Sequence, residues 1–338
     1  MRRADRHAPA AGPARPRQRR AAVRARAGAA PRSGAAAEPG RSARGVPVIA
    51  QFFSDLELFR HGFFASLVLG AVLPLVGTVL FLRRSAFLGV AVPQFSAAGL
   101  ALGLLALPWF SGPWAEYLEH GHPPTWYLFV FTASAALAAL LVFARIEAAS
   151  RRGGSEARLA AGFVLASALA LVFLSASAVG PQFLEAYLRG GQILLVDSHG
   201  LEIGAGVFAL VLLGLWALRR PVLLIAFDPD AAVAFGLPVA RYEASLLLLL
   251  GLAIAGGVMT AGPVLVFGLL FLPPLAARQV AGSIPGFLVL SVLVSLLSVL
   301  GAWPVSLYCN QPYGPGAVLL ASLLAVCSWA AGRRRRAP

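Results

Sequence analysis

The chain is a succession of long apolar runs separated by short polar segments. Runs of this length cross a bilayer as helices, because a helix satisfies its own backbone hydrogen bonds where no water is available. The predicted spans are Phe63–Leu82, Val92–Leu107, Trp126–Ala144, Leu159–Ser177, Leu201–Leu218, Tyr242–Thr260, Val264–Ala277, Gly286–Val305 and Gly316–Ala331. The pattern predicts an all-α fold: a polytopic membrane bundle of about eight to nine transmembrane helices.

Composition supports a single membrane domain at residues 46–335. Hydrophobic residues make up 59% of the chain and charged residues only 12%, whereas soluble domains carry about 25% charged residues. The two cysteines, Cys309 and Cys327, show neither metal-ligand spacing nor a disulfide framework.

Residues 1–45 differ from the rest of the chain. They carry 12 arginines against Asp5 and Glu38, consist otherwise mostly of alanine, proline and glycine, and have almost no large apolar side chains to bury, which predicts a disordered leader. Three interpretations stay open: a basic tail, a targeting segment without the apolar core of a signal peptide, or a start codon placed too far upstream. We favour the third, with the start near Val46 or Val48.

The distribution of arginines predicts the orientation in the membrane. If the first span runs inward, 14 arginines of the body face the cytoplasm and only Arg60 and Arg189 face outward. This is the asymmetry expected of the positive-inside rule. It places the C-terminus in the cytoplasm.

A short polar segment between the fifth and sixth spans predicts a small helix outside the membrane, from Pro229 to Phe235. Asp228 is suited to the N-cap, Pro229 to the first helical position, and Gly236 to a left-handed conformation that ends the helix. The same orientation places this helix in the cytoplasm, where a partner could push on the bundle.

Carboxylates and imidazoles gather in the outward-facing segments. Candidate metal ligands are His120 and His122 in one loop and Asp197, His199 and Glu202 at the mouth of the fifth span; these groups suit zinc or manganese. The alternative is that polar residues lie there only because the loops are solvated. Within the spans, Gln94 is a further polar candidate.

Several function classes are disfavoured by the sequence. Ionisable residues are nearly absent from the spans, which argues against a proton pump or a voltage sensor. The chain has no lysine and no Gly-x-x-x-x-Gly-Lys motif, so it cannot form a P-loop. The motifs of an intramembrane enzyme are also missing.

Four segments together resemble a known family. They are LRRSAFLG at residues 82–89, followed by Gly99 and Gly103; GQILLV at 191–196; DPDAAVAFGLP at 228–238; and PYG at 312–314. The chain resembles the membrane permeases of ABC importers for zinc, manganese and iron, known as family 3 of ABC transporter permeases. The resemblance covers nearly all of residues 48–332.

The resemblance implies a multi-pass permease of the bacterial inner membrane that works with partners. It implies a homodimer that binds cytoplasmic ATPase subunits and receives metal from an external binding protein. ATP would be hydrolysed on the partner; no cofactor bound by this chain, no enzymatic activity and no nucleic-acid partner are expected. The residues implied in ATPase coupling are Asp228, Pro229, Asp230, Ala232, Phe235 and Gly236.

One departure from the family pattern concerns the cargo path. The second-span motif of the family runs Gly-Asp-Ala-x-Ser-His, whereas this chain has Val90 in place of the aspartate and Gln94 in place of the histidine. Valine has no ligand atom and an amide oxygen is a weak ligand for zinc. Two alternatives therefore stay open beside a metal permease: a permease for a metal chelate such as a siderophore or cobalamin, and a membrane scaffold that lost the path.

Overall fold

The computed structural model describes residues 57, 59–83, 85, 87–120, 122–149, 155–180, 183, 193, 196, 198–227, 229–309 and 311–336. The regular elements of this part of the chain are helical, and they are α1 (Arg60–Leu82), α2 (Leu88–Ala106), a 3₁₀ turn (Leu107–Trp109), α3 (Ser111–His120), α4 (Thr125–Ala149), α5 (Ser155–Ala176), α6 (Ser198–Phe227), α7 (Pro229–Ala234), α8 (Val239–Val280), α9 (Ile284–Cys309) and α10 (Tyr313–Arg336). Eight of these are long and apolar enough to span a membrane. The predicted all-α membrane bundle is confirmed. The predicted leader lies outside the described residues.

The longest helix, α8, consists of two arms joined at Gly262. This glycine has φ 78° and ψ 164°, outside the helical region, and Pro263 follows it. A Cβ placed on Gly257 would lie only 2.8 Å from a methyl of Val266, although nine residues of continuous helix would separate the two by about 13.5 Å. The chain therefore folds back at Gly262, and the arms 239–261 and 263–280 correspond to the sixth and seventh predicted spans.

Successive helices run antiparallel and so divide the loops between two ends. The first, here called the short-helix end, holds the C-terminus of α1, helix α7 and the start of α8; the second, the aromatic end, holds Gly262, Trp303 and Tyr313. Two contacts support this order: Arg83 after α1 meets Glu243 near the start of α8, and Gly332 late in α10 meets Gln279 late in the second arm.

The two most buried long helices form the centre of the bundle. In α2, 78% of the most apolar window is buried, and in α8 67%, against 17% in each of α5 and α6. Close approach in the centre depends on small residues: a Cβ on Gly99 would lie against that of Ala135 and 2.6 Å from the carbonyl oxygen of Phe131.

The aromatic end is closed by a buried cluster around Trp303. Its ring lies 4.9 Å from that of Tyr313 and 5.8 Å from that of Phe63, centroid to centroid. The Trp303 Nε1–H donates to Ser66 Oγ at 3.1 Å, and the Tyr313 hydroxyl donates to the carbonyl of Val299 at 3.0 Å. The polar atoms of both large side chains are thus satisfied inside the bundle.

Candidate functional site

The segment between α6 and α8 forms one short helix, α7, that a glycine terminates. Pro229 is its first residue, as predicted. Gly236 has φ +74°; its N–H donates to the carbonyl of Val233 at 2.9 Å, and the N–H of Leu237 donates to that of Ala232 at 3.1 Å. These two bonds define a Schellman motif. The predicted left-handed Gly236 is therefore confirmed.

The segment has one buried face and one exposed face. The Ala232 side chain is fully buried, and α7 packs against α6 and the start of α8. Val233 is 64% exposed and Phe235 is 77% exposed. Ala232 thus fixes the segment to the bundle, whereas the apolar surface free to meet a partner belongs to Val233 and Phe235.

The remaining predicted coupling residues lie at the two ends of α7. The helix ends at Ala234, one residue before the predicted end at Phe235. Asp228, whose carboxylate was predicted to cap the helix, lies outside the described residues. The backbones of Pro229 and Asp230 are helical, and their side chains are likewise outside the description.

Helix α6 continues beyond the predicted span towards the short helix. The predicted span ends at Leu218, but the helix continues past Arg219 and Arg220 to Phe227, about 13 Å farther at 1.5 Å per residue. The prediction missed this extension because two arginines interrupt the apolar run, although arginine is a good helix former. The guanidinium carbon of Arg219 lies 4.8 Å from the centre of the Trp216 ring, which holds the charge beside the helix.

An ion pair lies at the same end of the bundle as the short helix. Arg83 Nη2 is 2.7 Å from Glu243 Oε1, and the two side chains are 24% and 42% exposed. The pair joins the end of α1 to the start of α8, which are separated by 160 positions in the sequence.

A cavity of about 330 Å³ lies beside this pair. Apolar side chains from α1, α2, α4, α6 and α8 line it, with Arg83, Glu243 and Ser85 as its polar members. The short-helix end therefore leaves space between five helices, whereas the aromatic end is closely packed.

The described candidate ligands His120, His122 and Glu202 lie at the aromatic end. The rings of His120 and His122 are exposed and 6.1 Å apart, centroid to centroid, and His120 Nδ1 lies 3.2 Å from the carbonyl oxygen of Glu116. Glu202 is exposed on the first turns of α6. Asp197 and the side chain of His199 fall outside the described residues. Among the residues that are described, no three His, Cys, Asp or Glu side chains are grouped to hold a metal.

The two positions that depart from the family pattern lie in α2, the central helix. Gln94 is buried, with 7% of its surface exposed, and Val90 is partly buried one turn earlier. Gln94 is not without an interaction partner. This part of α2 thus carries an aliphatic side chain and an amide in place of a carboxylate and an imidazole.

Sequence reasoning missed the Arg83–Glu243 pair. Arg83 belongs to the arginines that the sequence assigns to the cytoplasmic end, and Glu243 lies close to the start of the sixth predicted span. The available signal was that both charges fall at the same predicted end, together with several other arginines and acids. Which arginine Glu243 pairs with depends on helix packing, which the sequence does not reveal.

Comparison with known families and proteins gives a consistent result. The sequence model of the ABC 3 transport family matches residues 55–332. A probable metal transport system membrane protein of Chlamydia pneumoniae is 27% identical over 81% of this chain; the chain spans 62% of that relative's length. The manganese transport system membrane protein MntC of Halalkalibacterium halodurans is 25% identical over 81% of this chain and 88% of its own.

A solved structure has the same fold. It is PsaBC from Streptococcus pneumoniae in complex with Fab, with a TM-score of 0.68 and 22% sequence identity, covering 83% of this chain and 95% of the matched chain. At that identity the likeness concerns the architecture of the helices.

Proposed function

The chain belongs to the ABC 3 transport family, and we propose that it is the membrane-spanning permease subunit of an ABC importer for a divalent metal ion, zinc or manganese. The observation that carries the proposal is the family match over residues 55–332. The manganese transport system protein among its relatives supports the choice of cargo.

The proposal includes a division of labour between subunits. This chain would provide the path through the bilayer as a homodimer, and a separate cytoplasmic ATPase would supply the energy. An external binding protein would deliver the metal. The absence of a P-loop motif from the sequence supports placing ATP hydrolysis on the partner.

The short-helix end is the proposed cytoplasmic end. The antiparallel order collects at this end the described arginines that the positive-inside rule assigns to the cytoplasm, namely Arg83, Arg145, Arg158, Arg219, Arg220, Arg241, Arg278 and Arg333. The ATPase contact is then the surface of Val233 and Phe235, because large apolar side chains left in water mark a protein-binding site.

The test of the contact is Phe235→Asp, co-purified with the cognate ATPase. We expect loss of most of the bound ATPase, because a carboxylate would be buried without a partner in an apolar pocket; truncating a central interface residue commonly costs about 2 kcal/mol, a roughly thirtyfold loss of affinity. The matched control is Leu118→Asp, since Leu118 is 67% exposed on α3 at the opposite end. Equal ATPase recovery with both variants would contradict the proposed contact.

The cargo is tested by uptake in a deletion strain that expresses this chain with its ATPase and binding protein. Accumulation of zinc, manganese and iron is measured side by side, and we expect zinc or manganese to dominate. A metal chelate is the second candidate, favoured by Val90 and Gln94, which offer no strong ligand for a bare ion. ATPase stimulation by the chelate but not by the free ion in liposomes would decide for it.

A further inference from the structure

We infer that the Arg83–Glu243 ion pair transmits movement of the short helix from α8 to α1 and α2, so that both act as positioning residues for transport. The inference rests on the proposed function, in which an ATPase acts on α7. It adds a route by which a force that the ATPase applies to α7 reaches α2.

The first step of the route is the position of Glu243. Helix α7 ends at Ala234, the chain turns at Gly236, and α8 begins at Val239. Glu243 therefore lies little more than one helical turn into α8, on the first rigid element after the short helix. A displacement of α7 moves this carboxylate directly.

The second step is the position of Arg83. This residue ends α1, where its N–H donates to the carbonyl of Val79 at 3.1 Å. A cation at the C-terminus of a helix is favourably placed against the helix dipole. The 2.7 Å contact with Glu243 adds a charge-assisted hydrogen bond, which is directional as well as attractive.

Beside the cavity, the ion pair connects α1 to α8. Val76, Val79 and Leu80 of α1 and Leu246 and Leu250 of α8 line the same space of about 330 Å³. Apolar side chains on opposite sides of this space gain no dispersion contact across it. The ion pair spans the edge of this space and joins the two helices there.

The third step leads from Arg83 to α2 through a braced turn. Ser85 Oγ donates to the carbonyl of Arg83 at 3.2 Å, and the N–H of Ser85 donates to that of Leu80 at 2.9 Å. The N–H of Leu88, the first residue of α2, donates to the carbonyl of Ser85 at 3.0 Å. Since α2 is the central helix and carries Gln94, a pull on Arg83 reaches the middle of the bundle.

The experiment is a charge reversal in the complete complex reconstituted in liposomes. Arg83→Glu and Glu243→Arg are made singly and together, and metal uptake and ATP hydrolysis are measured on the same samples. We expect each single variant to lower the number of ions imported per ATP by about fivefold or more, the lower range of coupling between sites. The double variant restores most of this ratio because the pair re-forms with reversed polarity.

A matched control separates loss of the pair from a change in net charge. Arg145→Glu makes the same charge change at an exposed residue of the same end and leaves the ratio unaltered. A purely structural role for the pair would lower uptake and ATP hydrolysis together and leave their ratio constant, which would overturn the inference. A double variant as uncoupled as the singles would overturn it as well.

A second readout does not depend on the cargo. Spin labels at Phe87→Cys, in the turn after α1, and Ala240→Cys, in the first turn of α8, are both at exposed positions; the exposed Cys309 and Cys327 are replaced by serine. With ATP bound, we expect one narrow distance in the parent, a broader distribution in each single reversal and a narrow one again in the double. An unchanged distribution in the singles would overturn the inference. Absence of metal transport by the parent complex would instead overturn the proposed function.

Discussion

The two ends of the bundle are held together by different means. At the aromatic end, Trp303 and Tyr313 are fully buried, pack against neighbouring rings at tilted or edge-on angles and donate hydrogen bonds into the bundle. At the short-helix end, α1 and the first arm of α8 border a cavity of about 330 Å³ and are joined by the partly exposed Arg83–Glu243 pair.

This difference assigns separate tasks to the two ends. A close-packed end has one arrangement of its side chains and resists deformation. Helices that face each other across a space can move relative to one another, and a charge pair keeps them connected while they do so. Under the proposed function, the second kind of contact lies at the end on which the ATPase would act.

The largest effect on stability is expected from removing Trp303, the buried side chain at the centre of the aromatic end. Trp303→Ala would open a cavity and leave Ser66 without its donor, which should lower the free energy of unfolding by about 3–5 kcal/mol. Thermal unfolding of the purified protein in detergent measures the loss. Trp329→Ala is the control, because Trp329 is 48% exposed on α10 and should cost well under half as much.

The second substitution tests whether α1 is also loosely packed against the second arm of α8. A Cβ on Gly77 would lie against the carbonyl oxygen of Leu270 in the second arm of α8, so Gly77→Ala should destabilise the protein by about 1–3 kcal/mol through overpacking. The matched variant Gly206→Ala meets nothing within 4 Å and should be neutral or slightly stabilising. Equal unfolding temperatures of the two variants would show that the second arm is as loosely packed as the first.

The substitution with the smallest expected effect on stability tests the difference between the two ends most directly. Glu243→Gln should change the free energy of unfolding by less than about 1 kcal/mol, since partly exposed ion pairs contribute little and are screened by salt. Unfolding at low and high salt measures this term. A loss as large as that of Trp303→Ala would mean that the pair is a structural anchor, and the two ends would then be alike.

Much of the fold could be read from local features of the chain. The apolar runs predicted the membrane helices, and two adjacent runs predicted the arms that meet at Gly262. The termination of α7 at a left-handed Gly236 followed from the rarity of that conformation in any other residue. These features are local, because they depend on a residue and its near neighbours in the sequence.

Other features depended on packing that the sequence does not encode locally. Nothing in the apolar pattern distinguishes α2, which is central, from α5 and α6, which are peripheral, because lipid is as apolar as a protein interior and imposes no polar face on the outer helices. The pairing of Arg83 with Glu243 across 160 positions depends on the same choice of neighbours. The sequence by itself determined which segments are helical membrane spans and where the chain turns; the tertiary structure decided which helices touch, and therefore which end is packed and which end has room to move.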